Sequence, residues 1–324
     1  MRSLTIVFTL GLMAPLHALI ISGPNGTASG NTTQGSLNGF TGGLGLPAFP
    51  YWGNQIQVSD STGMYLGSND NYGWVMTAAH VSPLGVGSGV IVVGGTPYVV
   101  RDAVTIGSAD IRLYRIGGGL GDAALPVLPN ILMATTSPSI GTGLLDFGRG
   151  RRIEGTANSA TNSDAGQPPG VNGQFYEWGS AANVQWGTNS TTVLPSWLGP
   201  PFANANFIVG PYTTNLFFSL FDDVGSGNYL NATEATFSVF DSGGGAFRFN
   251  GVNWELSGLN LYEDHDPANV SNGEPGAAQG FGDANFYGNI AAYRNDILTA
   301  MVPEPSLGLL LCGCGFALVA RRRR

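Results

Sequence analysis

Fifty glycines and nineteen prolines cut this chain into short pieces. Glycine admits backbone angles that favour turns, and proline removes a ladder donor, so long helices and long central strands are disfavoured. Between these breaks lie apolar runs of strand length at residues 63–66, 73–77, 89–93, 98–100, 111–116 and 144–147. A second set follows at residues 215–221, 235–239, 245–249 and 254–260. Gly94-Gly95-Thr96-Pro97 separates two of the runs as a hairpin turn would. One helix is expected, at residues 289–301, where Ile290, Tyr293, Ile297 and Ala300 recur at three- and four-residue spacing. Many short strands and one terminal helix predict an all-β antiparallel barrel or sandwich.

Both ends read as targeting segments. Arg2, the apolar residues 4–13 and Leu16-His17-Ala18 have the order of a secretory signal peptide, expected at residues 1–18. Residues 19–48, rich in Gly, Asn, Thr and Ser, are expected to be a flexible leader. At the other end, Val302-Pro303-Glu304-Pro305 precedes an apolar run to Ala320 and then four arginines. Apolar residues ahead of a cationic cluster make a stop-transfer arrangement, although the run is short for a stable span. The only two cysteines, Cys312 and Cys314, lie inside this tail. The folding part therefore relies on core burial, without a disulfide.

Charge narrows the partners. The chain has no lysine, and residues 19–302 hold eight arginines against twenty acidic residues. A surface of that sign repels phosphate backbones, so nucleic acid is not an expected partner.

Three short segments carry the chemistry. The first is an apolar strand ending in Thr77-Ala78-Ala79-His80. The second is Ala109-Asp110-Ile111-Arg112-Leu113-Tyr114, an aspartate opening an alternating strand. The third is Phe240-Asp241-Ser242-Gly243-Gly244-Gly245, a nucleophile-type turn with glycines behind it. Of the other histidines, His17 lies in the signal segment and His265 in the acidic stretch at residues 263–266.

In the order His, Asp, Ser, these segments resemble the motifs of the trypsin-like, chymotrypsin-fold serine proteases. The resemblance continues in residues 138–150, in 253–260 and in the strand-to-helix run 286–297, and it covers roughly residues 50–150 and 215–300. It implies two six-stranded antiparallel β-barrels with one C-terminal helix, within a domain at residues 49–301. Residues 155–205, polar and holding Pro168-Pro169 and Pro200-Pro201 but with Trp178 and Trp186 to bury, are expected as a long insertion with some strand, not a separate domain.

By that resemblance His80, Asp110 and Ser242 are the catalytic triad, and the backbone N–H groups of Phe240 and Ser242 are the oxyanion hole. Thr236, Asn285 and Tyr262 are expected at the substrate pocket. Thr236 is not acidic, so cleavage after Arg or Lys is not expected. The resemblance implies no cofactor and no metal, and a protein or peptide as substrate. Asp241 matches the aspartate that a freed N-terminus meets in the family's zymogens. Here it is expected to find another partner, with no dependence on cleavage.

Phe240 departs from the family, which has glycine there. A surface binding or structural protein on the same scaffold, with its oxyanion hole disabled, is therefore a second reading. A calcium-stabilised adhesin is a third, drawn from Asp222-Asp223 and the acidic stretch. The tail at residues 302–324 resembles the PEP-CTERM sorting signal. That implies an exosortase-type partner, transient contact with a membrane, and a final place at the surface or in the exopolysaccharide matrix of a Gram-negative-type bacterium.

Overall fold

The computed structural model describes residues 19–21, 31–69, 72–156, 175–181, 184–193, 206–221, 233–238, 240–263, 278–280 and 284–302. The described chain opens with strand β1 (Ile20–Ile21) and helix α1 (Gln34–Gly43). Six strands follow: β2 (Gln55–Val58), β3 (Ser61–Asn69), β4 (Tyr72–Thr77), β5 (Val90–Val93), β6 (Thr96–Thr105) and β7 (Arg112–Ile116). They form one antiparallel sheet in the order β2-β3-β4-β7-β6-β5. Strand β2 also lies against β5, which curls the sheet into a barrel.

Period-two patterning sets which side chains enter. In β5, Ile91 and Val93 are buried while Val90 and Val92 face out. Tyr65, Val75, Val100, Tyr114 and Ile116 join them inside. Gly94 and Gly95 both take positive φ, at 58° and 82°, so the expected hairpin turn is made.

The second half holds β8 (Gly143–Gly148), β9 (Arg151–Thr156), β10 (Phe175–Ala181), β11 (Gln185–Thr192), β12 (Asn206–Val209) and β13 (Tyr212–Leu220). It continues with β14 (Ala235–Thr236), β15 (Gly245–Phe249), β16 (Trp254–Glu263), β17 (Ala278–Gly280), β18 (Ala284–Asn289) and helix α2 (Ile290–Ala300). The main sheet runs β11-β8-β15-β16-β18-β13-β12. A further pairing of β11 with β13 closes six of these strands into a second barrel, with β12 outside as the arm of a hairpin. Strands β9, β10 and β17 make a separate small sheet, and β1 pairs with β14. The fold is thus the chymotrypsin-like double β-barrel with a C-terminal helix.

One apolar cluster runs through both halves. Met64, Met76 and Leu113 of the first barrel belong with Phe147, Phe247 and Leu256 of the second. Phe49 sits at the seam, fully buried. Its ring stacks on Phe147 at 4.7 Å and meets Phe247 edge-on at 4.9 Å. Helix α2 follows β18 without a break and buries Ile290 and Ile297.

Two expectations need correction. The stretch 19–48 is not wholly a flexible leader. Thr33 caps α1 by accepting the Ser36 N–H at 3.1 Å, Leu37 is buried, and Phe40 lies 5.0 Å from the Trp186 ring. The chain therefore has a second helix that its glycine-rich sequence hid. Nor is all of 155–205 an addition, because Gln185–Thr192 is a barrel strand paired with β8 along its length.

Candidate active site

Strand β4 delivers His80. Ala78 and Ala79, the small residues that follow the strand, are buried, so the chain can run tight to the barrel wall. His80 then emerges with its side chain 31% exposed. Asp110 lies in the turn before β7 and is fully buried. Its backbone N–H donates to Thr214 Oγ1 at 2.9 Å, which ties the turn to the second barrel.

The carboxylate of Asp110 grips His80 twice. Oδ1 accepts the His80 backbone N–H at 2.8 Å, and Oδ2 lies 2.6 Å from Nδ1 of the ring. A carboxylate oxygen cannot donate, so Nδ1 carries the proton and Nε2 is the acceptor. That Nε2 lies 2.9 Å from Ser242 Oγ. Three side chains far apart in sequence therefore meet in a single line.

Ser242 is held by a tight turn. Asp241 N–H donates to Ser238 O at 3.0 Å, and Gly244 N–H donates to Asp241 O at 2.9 Å. Gly243 is at φ +89°, and a Cβ there would stand 2.2 Å from both Thr62 O and Thr77 Oγ1. Only glycine fits that approach. Ser242 Oγ also lies 3.3 Å from Leu261 O.

Phe240 takes φ +78°, a region that glycine enters freely and other residues enter at a cost of about 1–3 kcal/mol. Thr62 of β3 holds it there. The Thr62 N–H and hydroxyl both donate to Phe240 O at 3.0 Å, and the same N–H reaches Ser242 O at 3.2 Å. Phe240 therefore stands in the left-handed backbone region that glycine favours.

Asp241 lies behind the turn, fully buried. Ser238 gives it an N–H at 2.7 Å and a hydroxyl at 2.9 Å, and Gly150 gives an N–H at 2.7 Å. The backbone N–H of Leu19 is a further donor. Burial pushes this carboxyl up to about 6, against the pull of those hydrogen bonds. Gly148 packs so closely that a Cβ on it would stand within 1.9 Å of Asp241 Oδ1. Asp146 of β8 is also fully buried, and burial pushes it up to about 8. It accepts the Tyr287 hydroxyl at 3.1 Å.

The expected pocket residues separate. Thr236 and Asn285 come together, fully buried, with Thr236 Oγ1 donating to Asn285 Oδ1 at 2.8 Å. Phe237 N–H donates to the same oxygen at 3.0 Å. Both side chains are thus committed to packing. Tyr262 is not beside them: its hydroxyl donates to Asp110 Oδ2, and its ring stacks on His80 at 5.1 Å. Thr62 and Thr214 escaped the sequence reading altogether, since a lone threonine in a strand carries no local mark.

Among the described residues, no group of three or more His, Cys, Asp or Glu is placed to hold a metal ion. Asp222, Asp223 and residues 264–266 lie outside the described residues, as do residues 1–18 and 303–324. No described helix is long and apolar enough to cross a membrane.

No protein-family model matches the chain, and no curated protein does. Among solved structures the chain is similar to neuropsin, a serine protease expressed in the limbic system of mouse brain. The two are 15% identical with a TM-score of 0.44, and the match covers 78% of this chain and 97% of that one. The chemistry of the site is therefore argued from its own geometry. A serine hydroxyl on an imidazole that is itself fixed by a buried carboxylate is an arrangement that can make an alcohol nucleophilic.

Proposed function

We propose that this protein is a serine endopeptidase with His80, Asp110 and Ser242 as its triad. The observation that carries the reading is the line of contacts from Asp110 Oδ2 through the imidazole to Ser242 Oγ, at 2.6 and 2.9 Å. Ser242 attacks a peptide carbonyl while His80 Nε2 takes the hydroxyl proton. The same imidazolium then protonates the leaving amine, and water hydrolyses the acyl-enzyme by the reverse path. Asp110 holds the tautomer and stabilises the imidazolium. The backbone N–H groups of Phe240 and Ser242 stabilise the oxyanion, supported by the positive φ of Phe240 and the grip of Thr62 on its carbonyl. Thr236 stands where a cation-selective pocket has a carboxylate, and its hydroxyl is spent on Asn285, so no negative charge there favours a cationic side chain before the cut.

The protein is exported by residues 1–18 and sorted by residues 302–324, with an exosortase-type enzyme as partner and a brief membrane contact during sorting. This part rests on the sequence of the two ends alone. A fluorophosphonate probe tests the chemistry directly. It labels the folded wild-type protein and leaves Ser242→Ala unlabelled. Folded wild type that resists labelling at every pH between about 6 and 9 overturns the proposal.

A further inference from the structure

Strand β16 carries an irregularity beside the active site. Its pairing with β18 slips by one residue between Asn260, opposite Tyr287, and Tyr262, opposite Phe286. Such a slip re-aims the side chains beyond it. Leu261 turns inward and is buried, while its carbonyl faces Ser242 Oγ at 3.3 Å. Tyr262 crosses instead to the first barrel. There its hydroxyl donates to Asp110 Oδ2, the same oxygen that holds His80 Nδ1, and its ring lies 25° from the imidazole plane.

We propose that Tyr262 is a positioning residue for His80, fixing the imidazole plane with its ring and tempering the charge of Asp110 with its hydroxyl. A phenol proton on Oδ2 draws electron density from the carboxylate. The imidazolium then feels a weaker counter-charge, and removing the phenol should strengthen the hold of Asp110 on it. The phenol stays protonated in this setting, because burial and the Asp110 charge push it well above its ordinary range. Among the described residues, the other titratable and charged groups around the pair are few. Tyr212 donates to Ala79 O, Arg112 turns to Val81 O, and Glu263 follows Tyr262 in β16 with Asp241 behind it.

The effect on labelling rests on His80 acting as the base for Ser242. The effect on His80 itself does not, and the experiment separates the two. Tyr262→Phe keeps the ring and removes the hydroxyl. Its fluorophosphonate labelling should fall about tenfold at pH 6 and less than about threefold at pH 8.5, as the acid limb moves up by about one pH unit. Tyr262→Leu removes the ring as well, and should add a loss that is the same at every pH. NMR titration of the His80 Cε1 proton should show its pKa rising in Tyr262→Phe, or in Tyr262→Leu if the first variant fails to fold. A titration identical to wild type overturns the positioning role even if labelling falls. A raised His80 pKa in a protein that no probe labels keeps the role and removes the peptidase reading.

Discussion

Thr62 holds the carbonyl of Phe240 from two directions, with its backbone N–H and its hydroxyl both at 3.0 Å. The first barrel thereby fixes the backbone of the nucleophile turn carried by the second. The Thr62 hydroxyl also accepts the Arg149 N–H at 2.9 Å, so one side chain serves two loops. Thr62→Ala should cost about 1–3 kcal/mol of stability and slow labelling at Ser242. Chemical denaturation and probe kinetics check both. Unchanged labelling would mean that the turn keeps its shape unaided.

Phe240→Gly should be tolerated. Glycine relieves the positive-φ cost but loosens the unfolded chain, so the two effects roughly cancel to within about 1 kcal/mol. Labelling should match or exceed that of wild type. A large loss of labelling would show that the phenyl ring itself contributes to the site.

Gly148→Ala should be severe. Its Cβ would fall 1.9 Å from Asp241 Oδ1, and moving that carboxylate breaks its bonds to Ser238 and Gly150. We expect a loss above about 3 kcal/mol, with labelling abolished in whatever folds. Wild-type melting in this variant would show that Asp241 can move at no cost.

Stability should fall as pH rises from about 4 to about 8. Asp146 is pushed up from 3.8 to about 8 in the folded protein, so between those values the folded state keeps a proton that the unfolded state has lost. Each such group lowers stability by up to about 1.4 kcal/mol per pH unit. Asp241 contributes only to about 6 and Glu263 only to about 7. The interval from 7 to 8 therefore belongs to Asp146. Asp146→Asn should flatten the slope there, as read from urea midpoints at each pH.

The residues that meet at Ser242 were legible because each is announced by its immediate neighbours. Small alanines precede His80, an alternating strand follows Asp110, and glycines follow Ser242. The strands were legible wherever Val, Ile and Leu mark a buried face. Strand β11 was less so, because Gln185–Thr192 buries Thr188, Asn189 and Thr191 through hydrogen bonds, such as Asn189 Nδ2 to Ala235 O at 2.9 Å, where an apolar run would have marked the face. Helix α1 was missed because four of its ten residues are glycine. The partners of Tyr262 and Thr62 lie 152 and 178 residues away, and no local pattern encodes contacts made only when two barrels close on each other.

Leu19 is 2% exposed and spends its amide on Asp241, so the start of the described chain is wedged inside the wall beneath the nucleophile. Severing the bond after Ala18 would turn that amide into an ammonium group facing a carboxylate shut off from water. Removal of residues 1–18 would then strengthen a contact that the uncut chain already makes through the Leu19 N–H. A chain starting at Leu19 should resist urea better than one retaining Ala18, by a margin that widens as pH climbs past about 6 and Asp241 ionises. Equal midpoints would show that the new end never reaches its mate.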